Sequence, residues 1–424
     1  MSNICFICKY PPIQGGVSAS TYWYVHELAR RGHEIHVVSN AWEVEEEYRQ
    51  YLIGSDLDYM KDRSFPSGGG VVHHFTNPFF EPKHIPFSHP YVSKLASKAV
   101  EVIKKCSCEK IFAYYLEPYG VSAFLASQIT GVPYYIRHAG SDITRLFDNH
   151  EFTYLYDAVL KSSNGVLTTH RSIGKVQKIV QDQSKVKLIA SDFLPQKYFM
   201  PEGEVLDVET LLTELDQHAK QAKILDWSNG VYDNKKMSIG VYCKAGRNKG
   251  FIEIIDALSL IDGVEEKINL LLLTGGSNLR SLQNHIKKTK VCDVAFFIPF
   301  LPPWRIPSFL RLCDVVCALE NNFSVPVHGP RIPREILSCG RCMIISKELV
   351  DKQVFSTDIV HKGNAMVVDS VQDVRGLSHV FNELISSPEL VEQIGVGAGT
   401  IATKYCLHSS DQFVEEFQSA LDIE

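Results

Sequence analysis

Short apolar runs alternate with stretches of helical period along most of the chain, and this rhythm, which runs through two series, restricts the fold more than any other feature. The first series opens with a strand at Ile4 to Cys8 and a helix whose positions Val17, Thr21, Tyr24, Val25 and Leu28 recur at helical spacing, closed by Gly32. A strand at Ile35 to Val38 follows. Strand, helix and strand in that order predict parallel pairing with a right-handed crossover. Alternation then resumes with a helix over Tyr91 to Lys105 and strands at Ile111 to Tyr115, Tyr134 to Arg137, Val166 to Thr169 and Val186 to Ile189. The stretch from Ala41 to His89 is irregular, with an acidic run, a Gly triplet at 68 to 70 and repeated aromatics and prolines, and reads as a long binding loop.

Between Leu194 and Lys236 the rhythm breaks, with Pro195, Pro201, a charged amphipathic stretch and the turn-rich WSNGVYDNKK. It restarts with strands at Ser238 to Tyr242, Ile268 to Leu273, Val294 to Ile298, Val315 to Leu319, Met343 to Ile345 and Met366 to Val368, then helices at about 372–386, 388–404 and 409–422. At 424 residues the chain is long for one core, since a domain takes roughly 100 to 200. The reading is α/β, with two Rossmann-like doubly wound parallel-sheet domains. Residues 1–195 form the first, 196–236 a linker, 237–405 the second, and 406–424 a closing helix.

Four loops at predicted strand ends carry candidate chemistry, because ligands of open parallel sheets bind outside the carboxyl ends of the strands. Gly15 and Gly16 stand between the first strand and its helix, where backbone N–H groups can approach a phosphate or simply make a tight turn. His138, Gly140 and Asp142 follow a strand in RHAGSD, so the imidazole can reach a ligand hydroxyl. In CKAGRNKG, Lys244, Arg247 and Lys249 gather at a strand-to-helix junction, which suits a diphosphate. From Glu320 to Ser346 the chain brings Glu320, His328, Arg331, Arg334 and Glu335 close together, and Pro333 fits the first position of a short helix. The two loops of the second domain would face one crevice.

Composition closes off other classes. Forty-three basic against 49 acidic residues give a net charge of -6 and no electrostatic footprint for nucleic acid. Hydrophobic content of 45% with 22% charged residues is enough to bury sizeable cores. No apolar run approaches the ~20 residues that span a bilayer, and the N-terminus runs straight into a strand without a secretory leader, so a cytoplasmic protein is expected. Of the 11 cysteines, Cys5 with Cys8 and Cys339 with Cys342 form Cys-x-x-Cys pairs. Neither has a second pair or a His pair at ligand spacing, and no metal is expected.

PPIQGGVSASTYWYVHELARRGHEIHVVS, RHAGSD, KAGRNKG and PREILSCGRCMIIS together resemble the GT-B glycosyltransferases, specifically the retaining family 4 group (glycosyl transferases group 1), over nearly the whole chain. Lys244 stands where that family usually has Arg, five residues before Lys249. The family also usually carries two glutamates separated by seven residues. Here Val327 lies eight positions before Glu335, and the preceding acid, Glu320, lies fifteen away, so His328 or Arg331 would occupy the space near the sugar.

The resemblance implies two domains facing a cleft, the second holding a nucleoside diphosphate sugar and the first an acceptor, with the last helix crossing back to the first domain. Lys244 and Lys249 would neutralise the leaving diphosphate without a metal, Glu335 would hold the ribose, and His138, the third catalytic candidate, would contact the sugar hydroxyls or the reacting centre. Arg247, Glu320, Arg331, Arg334 and Asp142 would line the donor site, with Gly15 and Gly16 near the phosphates. No cofactor is implied beyond the donor substrate. The acceptor would be a glycan, a lipid-linked or a small molecule, a lipid-linked one bringing peripheral membrane contact. A sugar-nucleotide epimerase of the same architecture and a non-catalytic sugar-nucleotide binder are the alternatives.

Overall fold

The structure, a computed structural model, describes all residues except 41–42, 61, 77–90, 190–193, 223–229, 324–328, 409 and 424. The chain divides into two units, one of Met1–Glu45, Leu52–Phe193 and Ser409–Glu424, the other of Glu46–Tyr51 and Leu194–His408. Among the described residues no helix is long and apolar enough to cross a membrane.

The first unit is built on eight strands: β1 (Asn3–Ile7), β2 (Glu34–Ser39), β3 (Arg63–Ser64), β4 (Gly70–Phe75), β5 (Lys110–Tyr114), β6 (Tyr134–Arg137), β7 (Gly165–Thr168) and β8 (Val186–Leu188). Their order is β3-β4-β2-β1-β5-β6-β7-β8, parallel throughout except for β3 against β4. Chain order reverses between β1 and β5, so the loops leaving these two strands diverge and open a crevice. Ile4 to Ile7 are fully buried, as a strand covered on both faces requires.

Helix Tyr91–Cys106 turns Leu95, Ala99, Val102 and Ile103 inward at helical spacing while Lys98, Glu101 and Lys105 pair on its surface. Helix Ser410–Ala420 closes the same unit. Its Phe413 stacks on Tyr24 at 5.0 Å, and its Phe417 lies 5.1 Å from Phe112 and 5.3 Å from Tyr24.

One expectation needs correction here. The stretch from Ala41 to His89 is not all loop, since Gly70–Phe75 pairs with β2 along its length, from Glu34↔Gly70 to Ser39↔Phe75. The rest of the proline-rich part, 77–90, lies outside the described residues.

The second unit holds β9 (Leu194–Pro195), β10 (Met237–Tyr242), β11 (Ile268–Leu273), β12 (Ala295–Ile298), β13 (Val315–Ala318), β14 (Cys342–Ser346), β15 (Met366–Val368) and β16 (Leu407–His408). Six form a wholly parallel sheet in the order β12-β11-β10-β13-β14-β15, and β9 pairs with β16. All six residues of β11 are buried. Helix Phe251–Ser259 buries Phe251, Ile254, Ile255 and Leu258 against this sheet, each large side chain contributing roughly 1.5–3 kcal/mol. The interval 196–236, expected as a linker, carries helix Val208–Ala222 with Leu211 and Leu215 buried in this unit. Here the order reverses between β10 and β13.

Candidate functional site

The reversal between β10 and β13 places two loops side by side, 243–250 after β10 and 319–331 after β13. They are tied directly, the Asn321 N–H donating to the Asn248 carbonyl at 3.1 Å. Gly250, at φ +70°, starts helix Phe251–Ser259, and a Cβ there would come within 2.9 Å of Leu319. Only glycine meets both demands.

On this frame Lys249 pairs with Glu320, a carboxylate only 2% exposed. Lys352, from the segment after β14, reaches the other Glu320 oxygen at 3.2 Å and Glu348 at 2.6 Å. The Phe323 ring lies 4.6 Å from the Lys249 ammonium and 5.3 Å from that of Lys352. Glu348 also accepts the N–H groups of Asn322 and Phe323, and Ser346 Oγ accepts the Glu320 N–H at 3.0 Å. Lys249 and Lys352 thus balance Glu320 and Glu348, two charges against two, in a cage lined on one side by an aromatic ring.

Lys244 is exposed at the mouth of the same loop, its ammonium 5.1 Å from the Tyr48 ring. Tyr48 belongs to the short segment 46–51 of this unit, and its hydroxyl accepts the Ser277 N–H at 3.4 Å, just beyond β11. Arg247 is exposed as well.

Below the second loop, helix Ile332–Ser338 carries a buried ion pair one turn long. Arg331 Nε donates to Glu335 Oε1 at 2.7 Å, with both side chains at most 5% exposed. The Phe199 ring lies 6.0 Å from the Arg331 guanidinium, and buried Arg334 donates to the Gly329 carbonyl at 3.3 Å. His328 lies outside the described residues.

In the first unit the open ground lies above Gly15 and Gly16, where an added Cβ would meet nothing within 4 Å. Gly15 has φ +150°, a backbone region that only glycine occupies readily, and Gly16 opens helix Gly16–Arg30. His138 and Asp142 follow β6 but turn inward. The Gly140 N–H donates to His138 Nδ1 at 3.1 Å, which leaves the proton on Nε2 to donate to Thr168 Oγ1 at 2.7 Å. Burial, with the Arg137 charge adding, pushes this imidazole down to about 3, so it is neutral. Asp142 accepts the N–H groups of Ala139 and Ile143 at 3.0 Å and of Leu116 at 3.1 Å, joining the loops after β5 and β6. Burial raises its carboxyl to about 6 against the pull of those donors.

Lys249 with Glu320, and Arg331 with Glu335, are therefore brought together, while His138 and Asp142 spend their polar atoms on their own loop and on its neighbours Thr168 and Leu116. Sequence reasoning missed Lys352, Glu348, Phe323 and Tyr48. In the second unit a cavity of about 730 Å³, lined by Pro201, Asn234, Met237, Asp314, Arg341 and Pro388, opens at the amino ends of the strands, opposite the loops that carry Lys249 and Glu320.

Known proteins share this architecture. Residues 225–398 match the family described as Glycosyl transferases group 1. The N-acetyl-alpha-D-glucosaminyl L-malate synthase of Bacillus anthracis is 23% identical over 417 residues, 97% of this chain and 95% of that protein. HepE of Anabaena, solved in complex with UDP-glucose, has a TM-score of 0.63 at 14% identity and full coverage of both chains. Sucrose-phosphate synthase of Thermosynechococcus elongatus has a TM-score of 0.64 at 12% identity, covering 99% of this chain and 98% of that one. The two parallel-sheet units are those of the GT-B fold.

Proposed function

We propose that this chain, a glycosyltransferase of the GT-B fold with its group 1 domain at residues 225–398, moves a sugar from a nucleoside diphosphate sugar to an acceptor hydroxyl, with retention and without a metal. The observation that carries this reading is the cation array at the β10 and β13 loop pair, with Lys244 and Arg247 exposed at its mouth and Lys249 and Lys352 sharing Glu320 within it. A diphosphate entering there competes with Glu320 for Lys249. Lys352 keeps Glu320 compensated while Lys249 turns to the phosphate, so the exchange strands no buried charge. As the bond from sugar to phosphate breaks, negative charge grows on the leaving diphosphate, and preorganised cations stabilise it without help from a bound ion. The buried Arg331–Glu335 pair sets Glu335 rigidly at the next crossover, where a ribose hydroxyl can donate to it. Retention and the choice of glycan, lipid-linked or small-molecule acceptor follow the family resemblance.

A panel of nucleoside diphosphate sugars, beginning with UDP-glucose because HepE shares the fold, tests the reading through thermal stabilisation of the full chain, then turnover with acceptors in EDTA. At least one donor should raise the melting temperature, turn over in chelator and give a product of unchanged anomeric configuration by NMR. Failure of every donor to bind would refute the donor site, and epimerised donor formed without acceptor would replace transfer by epimerisation.

A further inference from the structure

Away from the donor loops, two histidines and a cysteine converge on one face of the first unit. His36 of β2 and His74 of β4 are brought together by the parallel register, in which His36 pairs with Val72 and Val38 with His74. Side chains two residues apart on a strand share a face, so both rings stand on the same side, 3.2 Å apart from His36 Nδ1 to His74 Nε2. Cys106, the last residue of helix Tyr91–Cys106, completes the group, its carbonyl held by Asn3 Nδ2 at 3.0 Å. The three ligand atoms lie within 4.8 Å of one another.

We propose that His36, His74 and Cys106 bind a zinc-type divalent transition-metal ion that ties helix Tyr91–Cys106 to the sheet of the first unit. Zinc bonds to imidazole nitrogen at about 2.0–2.1 Å and to thiolate at about 2.3 Å, so a tetrahedral site separates two nitrogens by roughly 3.3 Å and nitrogen from sulfur by roughly 3.6 Å. The histidine pair already has that separation. The thiol needs a shift of at most about 1 Å, within reach of a side-chain rotation at a helix end. Two imidazoles and a thiol select zinc, cobalt, nickel or copper over magnesium and calcium, which demand oxygen.

Charge around the site favours a cation. Glu34 and Asp62 act on His36, and Asp62 and Glu101 on His74, with Lys98 opposing; Glu34 and Lys105 act on Cys106. Glu34 outweighs Lys105 at Cys106 and acts with Asp62 on His36, whereas at His74 Lys98 outweighs Asp62 and Glu101 taken singly, so the favourable charge lies on the His36 and Cys106 side. Water can supply the fourth ligand. Lone spacing arguments miss such a site because its ligands come from two strands and a helix far apart in the chain.

The test uses the full chain stripped with chelator and titrated with cobalt(II). Tetrahedral cobalt bound by a thiolate adds a sulfur-to-metal charge-transfer band in the near ultraviolet and visible bands of its own. One equivalent should produce both and raise the melting temperature. Cys106→Ser should abolish the near-ultraviolet band, and His74→Gln should weaken affinity by roughly 10²-fold, with far-ultraviolet dichroism showing both variants folded. Neither change touches the donor loops, so thermal stabilisation by a nucleoside diphosphate sugar should be unaltered and the two proposals fail separately. Absence of the near-ultraviolet band at saturating cobalt, or a band that survives Cys106→Ser, would overturn the site.

Discussion

Lys249→Ala separates the two roles given to this lysine. Its ammonium is paired with Glu320 and 18% exposed, while Glu320 retains Lys352 at 3.2 Å. Removing one preorganised donor to a developing oxyanion costs about 10²–10³ in kcat, roughly 2.7–4 kcal/mol. A second effect falls on binding. The cluster goes from two lysines against Glu320 and Glu348 to Lys352 alone against both, so a net negative charge now faces the incoming diphosphate and KM rises. Lys249→Ala/Glu320→Gln restores neutrality and should recover much of KM but none of kcat, since no ammonium returns to the leaving group. Initial rates over a range of donor concentration, on variants with wild-type far-ultraviolet dichroism, resolve the two parameters. A Lys249→Ala enzyme within about threefold of wild-type kcat would refute the assignment of the leaving-group charge to this loop.

Arg331→Met strips Glu335, 3% exposed, of its guanidinium and should destabilise the second unit by about 3–5 kcal/mol in urea unfolding, whereas Arg331→Met/Glu335→Leu should recover most of that loss. Equal losses in the two variants would show that the pair is not what the burial costs turn on. The proposed ribose contact of Glu335 predicts that the wild type discriminates against 2′- or 3′-deoxy donors by roughly 10²-fold or more in kcat/KM; equal turnover would remove that contact.

How much of this was legible depends on how local each signal is. Strands covered on both faces read as unbroken apolar runs, so Ile268–Leu273 and Cys342–Ser346 lie within a residue of their expected positions. Gly70–Phe75 escaped because it starts inside the Gly triplet and carries two histidines, a pattern that fits a half-exposed strand near the sheet edge as readily as a loop. The basic loop was legible because its cations are neighbours in sequence. The rest of their charge network was only partly so: Glu320 lies 71 residues from Lys249, and the second cation on it, Lys352, a further 32 beyond. Tyr48 sits in an acidic run whose composition says only that it is solvated. His138 was correctly placed at a strand end, but nothing local announces that Thr168, on the next strand, meets its second nitrogen.

That second bond bears on the pH response of the loop. His138 titrates near 3 when folded, against about 6.5 unfolded, so between these values the unfolded chain binds the extra proton and stability rises with pH. Asp142 is the reverse case. Its folded value near 6 exceeds the unfolded value of about 3.9, so its contribution is full below that lower value and is lost as pH rises through 6. From about pH 4 to 6 the two slopes oppose each other, each worth up to about 1.4 kcal/mol per pH unit, and the loop they share contributes little net dependence. Removing either group unmasks the other. His138→Gln should therefore make the stability slope more negative than wild type by about 1 kcal/mol per pH unit, and Asp142→Asn should make it more positive by a similar amount. Urea midpoints measured across pH 4 to 6 give both slopes, and taking differences from wild type cancels the remaining titrating groups. Slopes that do not move would mean that both groups keep ordinary pKa values in the fold, and the inward-facing loop would be wrong. Slopes that move as expected place His138 outside the groups that titrate near neutral pH, and any pH dependence of turnover there belongs to other residues.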